Sequence, residues 1–267
     1  MNTATRHVAR DAEANPALRT LARAGYAADG LVHLLTGTIV LVVTFGGEGE
    51  SDQTGAFKAV AAAPLGFVVL WVLAVALWAL AAYHVFEAML ARGDSSAKKW
   101  ARRLGEVGQV VAFAALGVIA AVVAAGAHPN GERSVETLSG DLIAASGGPL
   151  LLGAIGLGVA IAGATFTGFG TMRRFREHTG IPPGPPGIAV TVVGGVGYIA
   201  KGIALVIVGA LLVVASVTLD ADVAGGMDGA VNALLELPYG RWLGGAVGIG
   251  LLAYGLFLFA RARYARL

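Results

Sequence analysis

Inside otherwise apolar stretches of this sequence stand a few residues able to hold charge or exchange protons. Tyr26, Asp29, His33 and Thr36 follow one another at three- and four-residue steps, the spacing that aligns side chains on one helix face. Tyr198 and Lys201 repeat the three-residue step, and Glu106 and Gln109 repeat it again. Tyr83, His84 and Glu87 form a second group, with Glu87 one turn on from both of its partners. An imidazole beside a carboxylate can hold or pass a proton near neutral pH. Asp29 and Lys201 carry opposite charge and are able to pair, with Gln109 as a bridge. His33 and His84 would be the ligands of a haem or a metal, although no third ligand accompanies them. The absence of cysteine excludes disulfides, thiolate catalysis and iron–sulfur clusters, and neither a metal site nor a cofactor is expected.

What these groups cost depends on where they sit. Hydrophobic residues make up 56% of the 267 positions and charged residues only 13%, about half the usual supply for a soluble domain. The mean hydropathy of +0.73 agrees. Six apolar runs, Ala22–Thr44, Pro64–Leu90, Leu104–Ala127, Pro149–Gly170, Ile188–Leu219 and Pro238–Ala260, are each long enough to cross a hydrocarbon core of roughly 30 Å. Helices satisfy their own backbone groups in lipid and open strands do not, so the fold expected is all-α, a polytopic membrane bundle of six spans. Ionisable groups at that depth are functional candidates by default, and the alternative is that they fix helix register.

Lys and Arg are distributed unevenly between alternate connections. Arg6, Arg10, Arg19, Arg23, Arg92, Lys98, Lys99, Arg102, Arg103, Arg173, Arg174, Arg176, Arg261, Arg263 and Arg266 fall on one side, against Lys58, Arg133 and Arg241 on the other. This asymmetry puts both termini and the 2–3 and 4–5 loops in the cytoplasm. The basic loops are placed to meet anionic lipid headgroups. The opposite loops carry the acids, including Glu50, Asp52, Glu132 and Asp228, read as solvated charge. The formal net charge of +2 therefore hides a strongly polarised molecule with no sign of nucleic-acid binding.

Self-comparison organises the rest. Laid over one another, the first, third and fifth spans match Gly25, Gly105 and Gly197, and Gly37, Gly117 and Gly209. Asp29, Gln109 and Lys201 then fall at one equivalent position. Gly30 matches Gly202 with Val110 as the exception, and Tyr26 matches Tyr198 with Glu106 between them. "GAFKAVAAAPLG" from Gly55 lies over "GAVNALLELPYG" from Gly229, and more loosely over "GDLIAASGGPLL" from Gly140. The unit is a span, an amphipathic external stretch, a proline and a return span. Three such parallel repeats, at 22–90, 104–170 and 188–263, suggest pseudo-threefold symmetry about a polar centre. An N-terminal tail (1–21), a basic loop (91–103) and a basic, Pro-rich linker (171–187) complete the chain.

"RAGYAADG" (Arg23–Gly30) and "GGVGYIAKG" (Gly194–Gly202) in a triplicated two-helix unit resemble the bacterial membrane family called domain of unknown function 1206. The resemblance implies this fold and a bacterial inner-membrane location, and brings no catalytic residues with it. Three roles are compatible with the residues. The first is a pathway for a proton, small ion or small solute, lined by the polar positions of the odd spans. The second is a non-catalytic scaffold or assembly subunit, and the third a haem or metal carrier using His33 and His84.

Overall fold

The computed structural model describes residues 16–90, 95–177 and 179–265. Arg6, Arg10, Arg92 and Arg266, part of the basic asymmetry, lie outside these residues. The long helices are α1 (Pro16–Thr44), α3 (Gly66–Leu90), α4 (Ser96–Ala124), α6 (Gly148–Thr171), α7 (Pro185–Thr218) and α9 (Gly240–Tyr264). Three shorter ones, α2 (Gln53–Ala61), α5 (Gly131–Ala144) and α8 (Gly226–Leu235), form an acidic cap on the far side from the basic loops. Among the described residues six helices are long and apolar enough to span a membrane, and the protein is a multi-pass integral membrane protein in contact with the bilayer.

The same local devices recur in each unit. Gly46 and Gly126 take the left-handed conformation after α1 and α4 (φ 93° and 91°), and Leu219 takes it after α7 at φ 57°. The return bonds Gly47 N–H to Val42 O, Ala127 N–H to Val122 O and Asp220 N–H to Ala215 O close the last turns. The amphipathic stretches become α2, α5 and α8. Asp52 and Asn130 cap two of these, accepting bonds from the N–H groups of Gly55 and Arg133. Each cap helix then turns into a span through one hydrogen bond: Gly66 to Ala63, Gly148 to Ala145 and Gly240 to Leu237.

Packing follows the glycines. Gly30 and Gly37 of α1 lie against the backbone of Gly255 and Gly248 of α9, with 3.0 and 2.9 Å from a Cβ built on each to the facing carbonyl oxygens. Gly202 and Gly209 of α7 lie in the same way against Gly163 and Gly156 of α6. Small residues let helix backbones approach where lipid supplies no hydrophobic drive between helices. The second unit departs from this pattern, as its Val110 suggests. There the indole of Trp78 on α3 fills the space over Gly117 of α4 and donates to Ala114 O at 3.3 Å.

The resulting neighbour order is α4, α3, α1, α9, α7, α6. Gly25 packs on α3 and Gly197 on α9, each within its own unit, but the equivalent Gly105 has no such neighbour. α4 and α6 form no packed pair and are the least buried spans. This order does not establish a threefold axis, and the odd spans do not pack against one another. An antiparallel bridge between Thr179 and Ala265 ties the 4–5 connection to the end of α9.

Candidate functional site and family

The α1 stripe faces inward as its spacing requires: Tyr26, Asp29, His33 and Thr36 are all buried. His33 Nδ1 lies 2.8 Å from the Asp29 carbonyl oxygen and 3.1 Å from carboxylate Oδ1. The ring N–H aims at the carbonyl, so Oδ1 is left without a hydrogen bond. The His33 ring meets Tyr254 of α9 edge-on at 4.9 Å.

Lys201 of α7 does not sit on the Asp29 carboxylate. Its Nζ lies 4.4 Å over the Tyr254 ring and 5.4 Å over Phe166 of α6, while remaining in electrostatic reach of Asp29. Ring faces attract cations, and desolvation strengthens the attraction. Tyr198 crosses Tyr254 at 5.3 Å and stacks on Phe175 at 5.3 Å.

Glu106 belongs to a different pair. Its Oε2 lies 2.7 Å from His84 Nδ1, joining α4 to α3. His84 is buried, stacks on Phe113 at 5.4 Å and meets Tyr26 edge-on at 6.4 Å, and its Nε2 has no partner. Tyr83 donates to Glu87 at 2.8 Å. Gln109 is half-buried on α4, a helix that packs on α3 rather than on α1 or α7. The bridge across Asp29 and Lys201 expected of Gln109 is therefore not formed. His33 and His84 are turned to separate carboxylates, not to each other, and no metal-binding group of three or more such residues occurs among the described residues.

Two contributors were not among the sequence candidates. Arg261 was counted as a loop base, yet it lies within α9, its Cζ 4.4 Å over Tyr26 and its Nη1 3.4 Å from the Tyr198 hydroxyl. Tyr254, Phe257, Leu258 and Arg261 follow a three-, four-, seven-residue pattern that marks one face. That pattern is the signal that would have found them.

The acidic cap is also more than solvated charge. Ser51 N–H donates to Asp228 Oδ1 at 2.6 Å, and Lys58 binds Glu50 at 2.6 Å. Burial raises the pKa of the Asp52 carboxyl above the ordinary aspartate range, with Glu50 and Asp228 adding to the effect against the opposing Gly55 N–H. Burial, Asp228 and Glu136 raise Glu132 likewise. Between the unfolded and the raised folded pKa the folded chain binds more protons, so stability falls as pH rises through that interval. Above the raised folded pKa the whole penalty is present. Asp52→Asn keeps an acceptor for the Gly55 N–H and removes the charge. Thermal unfolding in detergent should therefore show the variant gaining little at acid pH and progressively more as pH rises. Parallel pH profiles for the two proteins would contradict the assignment.

Comparison with known proteins places the chain in a family. The chain is 25% identical over 256 residues to "Uncharacterized protein YxxB" of Bacillus subtilis (strain 168), covering 94% of this chain and 93% of that protein. No solved structure matches it. The model of the family Domain of Unknown Function (DUF1206) matches residues 24–91 and 196–265, the first and third units and not the divergent second. A match over half the chain, on the units that carry the glycine and tyrosine motifs, makes this protein a member of the DUF1206 family.

Proposed function

We propose that this membrane protein handles protons within its bundle, as a pathway for a small ion of which the proton is the simplest case. The basic end faces the cytoplasm in this reading. The observation that carries it is the presence of two imidazole–carboxylate pairs inside the spans, Asp29–His33 and Glu106–His84. Burying such groups is expensive, and intramembrane carboxylates and histidines characteristically mark proton relays. Tyr26, one turn before Asp29 on α1, meets the His84 ring and carries Arg261 over its own ring. Asp29 Oδ1, Thr36 Oγ1 and His84 Nε2 keep hydrogen-bonding capacity unused among protein groups.

The test is flux. Purified protein is placed in liposomes holding a pH-sensitive dye, and a pH gradient is imposed. Wild-type protein should collapse the gradient faster than empty liposomes, and Asp29→Asn and Glu106→Gln should each slow it at least about tenfold, the scale of losing a positioned acid–base group. Thr38→Val, on the exposed face of α1, should behave as wild type. Wild-type vesicles no faster than empty ones would end the proposal.

A second reading has its own support. Lys201 and Arg261 are satisfied by aromatic faces, and Tyr198, Tyr254, Phe175 and Phe257 pack as one continuous cluster. A scaffold would use the polar groups for register alone. Asp29→Asn would then lower thermal stability in a protein that shows no flux at all.

A further inference from the structure

A groove of about 390 Å³ runs between α3 and α4 at the basic end of the bundle, next to the His84–Glu106 pair on the same two helices but not lined by it. Its walls are apolar (Val85, Met89, Val107 and Val110 among them) with Trp100 and Arg103 at its mouth. From Trp100 to Val110 the helix rises about 15 Å, the hydrocarbon depth of roughly one leaflet.

Arg103 is the only charged residue in that lining. Its guanidinium stands 5.6 Å from the Trp100 ring, no carboxylate pairs with it among the described residues, and its Nε is buried without a hydrogen bond. Lys98, Lys99 and Arg102 precede Arg103 on α4, which has no acid in its first turn. Tryptophan favours the headgroup level of a bilayer, which places the groove mouth among lipid phosphates.

We propose that this groove is a binding site for one anionic phospholipid. Its phosphate meets the Arg103 guanidinium beside Trp100, and an acyl chain lies along Val85, Met89, Val107 and Val110. A fork of N–H donors suits a phosphate diester, and an apolar trough one leaflet deep suits its chain. A second copy of this protein in the same orientation fits poorly, because it would bring its own bases to the same depth. The proposal depends on the membrane setting and not on proton handling.

The test titrates detergent-purified protein with phosphatidylglycerol or phosphatidylcholine and counts retained lipid by native mass spectrometry. Phosphatidylglycerol should be retained at least about fivefold better, the scale of one base acting on an anionic headgroup. Arg103→Gln should erase the preference. Val107→Trp should block the trough and reduce retention of both lipids. Arg176→Gln, an exposed base elsewhere at the same end, should keep wild-type behaviour. Thermal unfolding of each variant confirms that it is folded. Equal retention of the two lipids by wild type, or an Arg176→Gln effect as large as that of Arg103→Gln, would overturn the proposal. Displacement of phosphatidylglycerol by millimolar inorganic phosphate would overturn it too, since the trough would then contribute nothing.

Discussion

Gly202→Ala is expected to unseat α7 from α6. A Cβ at this position meets Gly163 O and Thr167 N, each at 2.6 Å, with the Thr167 hydroxyl closer still. The first two are backbone atoms of a packed helix, so no rotamer change relieves them. Only separation of the helices does, and that opens the seam over its whole length, including Gly209 against Gly156. Overpacking a close-fitting contact costs about 1–3 kcal/mol, and a clash against backbone belongs at the upper end. Gly105→Ala is the matched control. Its site is equivalent to Gly25 and Gly197 in the repeat, but nothing lies within 4 Å of the added Cβ. The better helix propensity of alanine should leave that variant neutral or more stable by up to about 1 kcal/mol. Thermal unfolding in detergent, followed by size-exclusion chromatography, measures both. Equal loss in the two variants would mean that the glycine seam does not hold α6 and α7 together.

Arg261→Gln should cost nearly as much, for a different reason. The guanidinium lies on the Tyr26 ring at 4.4 Å and reaches the Tyr198 hydroxyl at 3.4 Å, joining α9 to α1 and α7. A desolvated cation–π contact is worth about 2 kcal/mol. Glutamine cannot replace the ring contact, so a loss of about 2–3 kcal/mol is expected once the weaker hydrogen bond is included. Lysine should recover only part of this, because a point charge cannot stack on Tyr26 and reach Tyr198 as a planar fork does. Arg263→Gln, two residues on and exposed, should change stability by no more than about 0.5 kcal/mol. If Arg261→Gln and Arg263→Gln unfold alike, Arg261 is only one more basic residue at the membrane edge.

These two residues show how differently parts of the molecule could be read in advance. The Gly202 seam is visible as Gly30 and Gly202 at one repeat position, and only its partner helix was missing from that reading. Arg261 looked like a loop base because the apolar run stops at Ala260. The helix continues through Tyr264, and the tyrosines around Arg261 come from α1 and α7. Glu106 and Gln109 went the other way. Their three-residue step placed them on a polar stripe equivalent to that of α1. Yet α4 packs on α3, where Glu106 meets His84 and Gln109 meets neither Asp29 nor Lys201.

The sequence by itself determined the six spans, the cap helices between them and the inward stripe Tyr26, Asp29, His33, because hydropathy and helical periodicity are properties of one segment at a time. It also determined the recurring turns, since a left-handed residue or a capping side chain acts within a few neighbours. Only the tertiary structure decided which helices became neighbours. Every span offers lipid much the same apolar surface, so partner choice rests on how closely two backbones approach, and that is a property of a pair. Trp78 over Gly117 and the empty space beside Gly105 are facts of this kind, and they set the second unit apart from the other two. The same choice of neighbours gave His84 the Glu106 carboxylate, while His33 keeps Asp29 of its own helix, and brought Lys201 and Arg261 onto aromatic faces.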